Sequence, residues 1–291
     1  MCYRDKCIPA KHAILSCFGC QRCCFRPTDE DLIQEFALHA SKNDVASLNR
    51  LAGRVRMLKG EHYKIGQLCS RITHEPVPKD NPRRVSALHQ ASKHDHLEIL
   101  LVMLKLEGCN PNEKESPCFY TPLHFAAKEG YAAMTTVLIK YKVSIDALDW
   151  KKNTACILAA SNGHVLCVKA LIDHGAQLNL RNVNGFNALI GAIINGRTQC
   201  ALLCIKLGSD LDCFDKHHNT PLHLAIMRGD AQVVKFLLQC GAKVFAFNKF
   251  QASTLDDAKR SKSMEILSMV ERGWIQHREK VRELRDAEEE E

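Results

Sequence analysis

The stretch Asp215-Lys216-His217-His218-Asn219-Thr220-Pro221-Leu222-His223-Leu224-Ala225-Ile226, running on to Val244, decides how the rest of the chain is read. Thr220 can cap a helix, because its hydroxyl accepts from amides that a helix start leaves unpaired. Pro221 suits the first helical position, where no amide hydrogen is needed. Leu222, Ala225 and Ile226 fall on one face of a short helix that Gly229-Asp230 breaks. A second helix follows, with Val233, Val234, Phe236, Leu237 and Leu238 apolar and Gly241 placed as its left-handed stop. Neither helix exceeds about ten residues, too short to hold in water without a packed neighbour. Such a unit needs copies of itself.

The copies recur every 33 residues. Stepping back from Thr220 reaches Asn187 in Phe186-Asn187-Ala188-Leu189-Ile190, then Thr154 in Thr154-Ala155-Cys156-Ile157-Leu158, then Thr121-Pro122-Leu123-His124-Phe125. Stepping forward reaches Ser253-Thr254-Leu255-Asp256. Upstream, Ser86-Ala87-Leu88-His89 stands 35 residues before Thr121, so that unit carries two extra residues, read around Glu107 to Asn112. The repeat resembles the ankyrin repeat family, whose unit is a turn plus two antiparallel helices with a Thr-Pro-Leu-His signature. The resemblance covers about residues 81 to 270. It implies an all-α solenoid of about six units plus a degenerate N-terminal cap, each unit packing only on its neighbours. It also implies that His89, His124 and His223 are structural, bonding across the helix start and the neighbouring turn. Ile157, Ile190 and Asp256 stand where three units lack that histidine. Those with isoleucine should stack more by apolar contact than by a polar network.

Composition sets further bounds. Across 291 residues, 46% are hydrophobic and 25% charged, ordinary globular values. The formal charge of +7 is modest and gives no nucleic-acid signature by itself. It is unevenly spread: residues 1–28 carry five basic side chains against one acid, and 271–291 eight acids against five bases. No run of 18 apolar residues exists, so no bilayer-spanning helix is expected. Fifteen cysteines is high. Nine of them, from Cys69 to Cys240, follow no spacing rule and read as buried reduced thiols, which argues for a reducing, cytoplasmic setting with the nucleus left open.

The chain divides into five parts. Residues 1–28 form a Cys-rich basic tail containing Cys17, Cys20, Cys23 and Cys24. Three roles fit that cluster: an unstructured tail, S-acylation beside Phe18, Phe25, Arg22 and Arg26 as a membrane-surface anchor, or a zinc module. The metal reading requires all four ligands within eight residues, with no distant pair to close the tetrahedron. Residues 29–58 read as degenerate capping helices, because Leu38-His39-Ala40-Ser41-Lys42 echoes Leu88-His89-Gln90-Ala91-Ser92-Lys93. Residues 59–80 form a loop insertion rich in Gly and Pro, and 81–270 hold the array. Its end is expected as a shortened helix from Ser261 to Val270. Residues 271–291 follow as a charged helix, with Trp274, Val281 and Leu284 in a weak stripe, and an acidic tail.

No catalytic constellation is present: no Gly-rich phosphate loop, no His-Glu-x-x-His and no Gly-x-Ser-x-Gly elbow. No motif calls for a cofactor, and no enzyme is expected. A solenoid instead offers an extended concave surface, and the expected function is capture of a protein partner there. The repeat register selects its residues: Tyr120, Lys128 and Glu129 in one unit, then Trp150, Lys151 and Asn153 in the next. Asn184 and Phe186 follow, with Val183 beside them, and then Lys216, His217, Asn219, Met227 and Arg228. Tyr120, Trp150 and Phe186 are expected to form an aromatic row, the composition of a binding hot spot. An array carrying acylated cysteines would be a peripheral membrane adaptor instead. No nucleic acid is expected.

Overall fold

The computed structural model describes residues 29–59, 73–74, 84–106 and 108–289. Among them run α1 (Asp29–Lys42), α2 (Val45–Lys59), the two-residue strands β1 (Thr73–His74) and β2 (Arg84–Val85), α3 (Ala87–Lys93) and α4 (Leu97–Leu104). There follow α5 (Pro122–Glu129), α6 (Ala132–Lys140), α7 (Ala155–Asn162), α8 (Val165–Asp173), α9 (Ala188–Ile194) and α10 (Thr198–Lys206). The last pairs are α11 (Pro221–Arg228) with α12 (Ala231–Gln239), and α13 (Thr254–Arg260) with α14 (Met264–Glu289). The odd-numbered helices pack side by side in one layer and the even-numbered in a second, each against the next of its own layer. The chain is an all-α repeat stack. At its N-terminal end α1 packs on α3 and α2 on α4, as each later pair packs on the next.

Local chemistry sets each helix start. Thr121 precedes Pro122, and its hydroxyl oxygen accepts from the His124 amide while its own N–H donates to His124 Nδ1 at 3.1 Å. At α7 and α9, Thr154 and Asn187 accept from the amides of Ile157 and Ile190. These caps persist, but the buried isoleucines carry no ring to reach the next unit. At α13 the Asp256 carboxylate substitutes for the imidazole, accepting from both the amide and the hydroxyl of Ser253. Gly130, at φ 89°, ends α5 in the left-handed region, where a side chain costs about 1–2 kcal/mol.

One apolar core runs the length of the stack, from Leu32 and Phe36 in α1 to Ile266 and Val270 in α14. Alanines at positions such as Ala126, Ala159, Ala192 and Ala225 are fully buried and let the odd-numbered helices approach closely. Each fully buried Leu in the even-numbered layer, such as Leu100, Leu138, Leu171 and Leu237, contributes about 2 kcal/mol. Cys156, Cys167, Cys200 and Cys204 share this core as small apolar groups. Burial pushes the Cys156 thiol up to about 12 and that of Cys200 up to about 11, so both stay protonated.

Polar ladders join neighbouring units on both sides of the core. The amides of Ser144, Gln177, Asp210 and Lys243 donate to the side-chain oxygens of Asn112, Asp146, Asn179 and Asp212 respectively. Elsewhere one unit captures a helix-end carbonyl of the unit before it: His164 Nε2 reaches the Lys128 oxygen at 2.9 Å, and Arg228 Nη1 that of Ile194 at 2.9 Å.

Three expectations change. The two extra residues of the first clear repeat do not sit together. One lies before Glu115, and the other within the hairpin, where Glu115 pairs with Tyr120 five residues on; later hairpins close over four, as Asp149 does with Asn153. The last helix is not short: α14 runs unbroken for 26 residues. Gly273 does not interrupt it; a Cβ there would come within 3.3 Å of Val244, so the missing side chain lets the helix lie close. Trp274 does not share one stripe with Val281, which is exposed. Its ring packs on Phe245 at 3.8 Å and its indole N–H donates to Thr254 Oγ1 at 3.2 Å, pinning α14 to the array.

Candidate partner-binding edge

Between consecutive helix pairs the chain makes a short hairpin, and the hairpins line up along one edge. A carboxylate or amide at the hairpin start shapes each one. Asp149 Oδ1 accepts from the amides of Lys151 and Asn153, and Asp215 Oδ1 from those of His217 and Asn219. Asn182 and Asn248 do the same with their side-chain carbonyls, for Asn184 and Phe186 and for Phe250 and Ala252. This local bonding turns the chain through a left-handed residue, Lys152 at φ 59°, Gly185 at 80°, His218 at 60° and Gln251 at 58°.

The tips are then joined by one backbone hydrogen bond per interface. Trp150 donates to the Cys118 carbonyl at 3.1 Å, Val183 to Lys151 at 3.0 Å, Lys216 to Asn184 at 3.1 Å and Lys249 to His217 at 2.9 Å. This ladder sorts the tips into columns. Trp150, Val183, Lys216 and Lys249 form the first; Cys118, Lys151, Asn184, His217 and Phe250 form the second. Phe119, Lys152, Gly185, His218 and Gln251 form the third, and Tyr120, Asn153, Phe186, Asn219 and Ala252 the fourth, which enters the helix cap.

Several expected contact residues lie in the open. Trp150 is 55% exposed, with Lys151 Nζ 4.8 Å from its ring centroid. Lys151, Lys216, His217, Met227 and Arg228 are exposed, the last two at the end of α11. Lys128 is half-buried, beside Glu129 at 3.6 Å and above the Tyr120 ring. Asn184 is half-buried, and its carbonyl belongs to the ladder.

Others are turned into the stack. Asn153 and Asn219 are buried, and their side-chain amides donate to Asp149 Oδ2 and Asp215 Oδ2 at 2.8 and 3.1 Å. Their side-chain oxygens accept from the amides of Asn182 and Asn248 in the following units. They are rivets between hairpins. The expected aromatic row also breaks up, because Tyr120 and Phe186 occupy the fourth column while Trp150 occupies the first. Tyr120 stacks on His124 at 5.8 Å and meets Phe125 edge-on at 5.3 Å, so its ring completes local packing.

Exposed apolar groups that the sequence reading passed over fill the gap. Phe119 is 50% exposed and Phe250 75%. Phe250 stands 33 residues after His217, so carrying the register one unit further reaches it. Phe119 escapes because it falls in the third column with Lys152, Gly185 and His218, a tip position outside those the register selects. Cys17, Cys20, Cys23 and Cys24 lie outside the described residues, as does most of the 59–80 insertion.

The motif histidines behave differently from the edge. His89 Nδ1 accepts from the Ser86 amide at 3.2 Å, which leaves Nε2 to carry the proton toward the carbonyls of Glu113 and Tyr120, both at 3.0 Å. His124 repeats the arrangement with Thr121 and the Asn153 carbonyl. Burial disfavours the charged imidazole, lowering His89 to about 4 and moving His124 and His223 in the same direction. His89 and His124 are neutral struts. His223 Nδ1 accepts from the Thr220 amide at 3.3 Å, but among the described residues its buried Nε2 finds no hydrogen-bond partner, so the expected bond to the neighbouring turn is missing there. Among the described residues, no three His, Cys, Asp or Glu side chains assemble as a metal site, and no helix is long and apolar enough to cross a membrane.

Paired helices stacked in two layers, with a ladder of hairpin tips along one edge, define a solenoid repeat protein. A family model described as ankyrin repeats (3 copies) matches residues 88–182 and 178–248, more than half of the chain. The chain belongs to the ankyrin repeat family. No curated protein matches it.

Proposed function

We propose that this protein is a non-catalytic scaffold that holds a protein partner against its concave side, the hairpin tips and the exposed ends of the odd-numbered helices. Ankyrin repeats generally mediate protein–protein interaction, and the side chains of this chain support the same use. The observation that carries the reading is the apolar content of the edge. Trp150, Val183, Phe250 and Phe119 are each at least half exposed, and Met227 is 61% exposed at the end of α11. Large apolar groups on rigid, hydrogen-bonded tips are what an interface core uses, because little conformational entropy is lost when they are covered. The tips need no partner for their own fold, since the ladder and the Asp149 and Asp215 networks satisfy their backbone.

The test is affinity capture by the full chain, compared with Trp150→Ala and with Met227→Ala. The same captured protein should be retained by wild type and lost from both variants. Trp150→Ala is expected to weaken binding by about 2 kcal/mol while leaving the melting temperature nearly unchanged. Retention by both variants, or a large drop in melting temperature for Trp150→Ala with undiminished capture, would overturn the assignment of this face.

A further inference from the structure

Resting on that reading and deepening it, we infer that the tip edge receives an extended acidic peptide bearing apolar side chains. Charge on this edge is of one sign. Lys151, Lys152, Lys216 and Lys249 are exposed at the tips, with His217 and His218 between them. The acids of those hairpins, Asp149 and Asp215, are each 5% exposed, and both oxygens of each accept hydrogen bonds from hairpin amides. They cannot also serve as surface counter-charges. Among the described residues, none of the four lysines has a carboxylate within ion-pair distance. The exposed aspartates lie elsewhere: Asp95 in the turn between α3 and α4, Asp173 at the end of α8, and Asp210 and Asp212 in the loop after α10, where Asp212 already holds Lys243 at 3.0 Å. The repeat thus keeps its acids off the tips.

The first column sets the polarity of the ligand. From the N-terminal unit onward it reads Trp150, Val183, Lys216, Lys249, apolar for two units and cationic for two. Lys151 adds a charge beside Trp150, and Phe250 adds an apolar group beside Lys249. An extended chain crossing the tips would lay apolar side chains on Trp150 and Val183 and carboxylates on Lys216 and Lys249. Cationic edges with aromatics also attract single-stranded nucleic acid, which needs ring faces free for stacking. Here one face of Trp150 lies under Lys151 Nζ, and Phe250 is stacked with His217 at 6.2 Å. Val183 and Met227 offer aliphatic contact, which suits side chains better than bases. The geometry therefore favours a peptide.

The experiment pans a random twelve-residue peptide library against the full chain, beside a variant carrying Lys151→Glu, Lys216→Glu and Lys249→Glu. Wild type should enrich peptides rich in Asp and Glu with at least one aromatic or branched apolar residue. The enriched peptide, labelled and titrated, should bind at least tenfold more weakly to the triple variant, and more weakly to wild type as salt is raised. Neutral or basic enriched sequences, no enrichment, or equal binding by the variant would overturn the inference. So would a labelled single-stranded RNA that binds more tightly than the peptide and is lost in the same variant. If the triple reversal unfolds, the three alanine substitutions replace it, with the same tenfold criterion. A neutral peptide lost on Trp150→Ala, but not on charge reversal, would sink the acidic chemistry and leave the scaffold reading standing. Peptides insensitive to Trp150→Ala, Met227→Ala and the lysine changes would sink both.

Discussion

Acid should unfold this protein through its buried histidines, and His89 gives the clearest measure. Its ring is fully buried, and burial holds its pKa near 4 against 6.5 for the free side chain. Between those values the unfolded chain binds a proton that the folded chain refuses, so stability is lost as pH falls from about 6.5 toward 4. A shift of this size is worth about 3 kcal/mol in all, and about 2 kcal/mol of it disappears between pH 7 and pH 4.5. His124 and His223, lowered for the same reason, add losses as pH falls below 6.5. Asp257 opposes them: burial raises its carboxyl, so its contribution favours the fold as pH falls through the folded value. The assay is urea unfolding of the full chain at half-unit steps from pH 7 to 4.5, beside His89→Gln. The wild-type curve should fall more steeply than that of His89→Gln by about 2 kcal/mol over that range. The variant is less stable throughout, because the bridge to the Glu113 and Tyr120 carbonyls is gone, but it lacks the titrating ring. Parallel curves, or a wild type that gains stability on acidification, would refute the account of His89 as a neutral strut.

Other outcomes follow from the packing and the hairpins. Gly185→Ala should destabilise by about 1–2 kcal/mol, since φ is 80° and the new Cβ would lie 3.0 Å from the Phe214 carbonyl oxygen. Gly208→Ala, at φ 81° with open space around it, should cost less, and equal losses by thermal melting would discount the Phe214 contact. Asn219→Ala should cost about 2 kcal/mol in urea unfolding, because Asp215 Oδ2 and the Asn248 amide lose their partner in a buried place. Asn184→Ala, on the half-buried tip, should cost far less. Trp274→Ala should lower stability by about 2 kcal/mol and speed amide exchange along α14, while exchange in α5 and α7 stays unchanged.

The period of 33 and the Thr-Pro-Leu-His helix starts were enough to determine the stack. They are local signals: a cap, a fixed φ and an apolar face one turn long mean the same thing wherever they occur, and repetition supplies the neighbour that each short helix lacks. The role of His89 and His124 was legible only through the family that the repeat resembles, because their ring bonds reach the next unit. Which residues of the edge are exposed was only half legible. Trp150, Lys151, Lys216, His217, Met227 and Arg228 could be placed on the surface by register alone. Asn153 and Asn219 could not, because their burial depends on a carboxylate four residues earlier and an asparagine in the next hairpin.

The aromatic row failed for a related reason. Residues three positions apart in a tight hairpin point to different columns, and only the inter-unit ladder defines those columns. Phe119 belongs to the third column, whose later members are Lys152, Gly185, His218 and Gln251, so nothing in the register marked it as an exposed apolar tip. Sequence by itself determined the repeat and the helix starts, since each rests on contacts within a few residues. The neutrality of His89 and His124 comes instead from burial and from carbonyls of the next unit. The tertiary structure alone decided the edge, because exposure there depends on hydrogen bonds between residues about 33 positions apart, and no local pattern encodes which tip atoms those bonds consume.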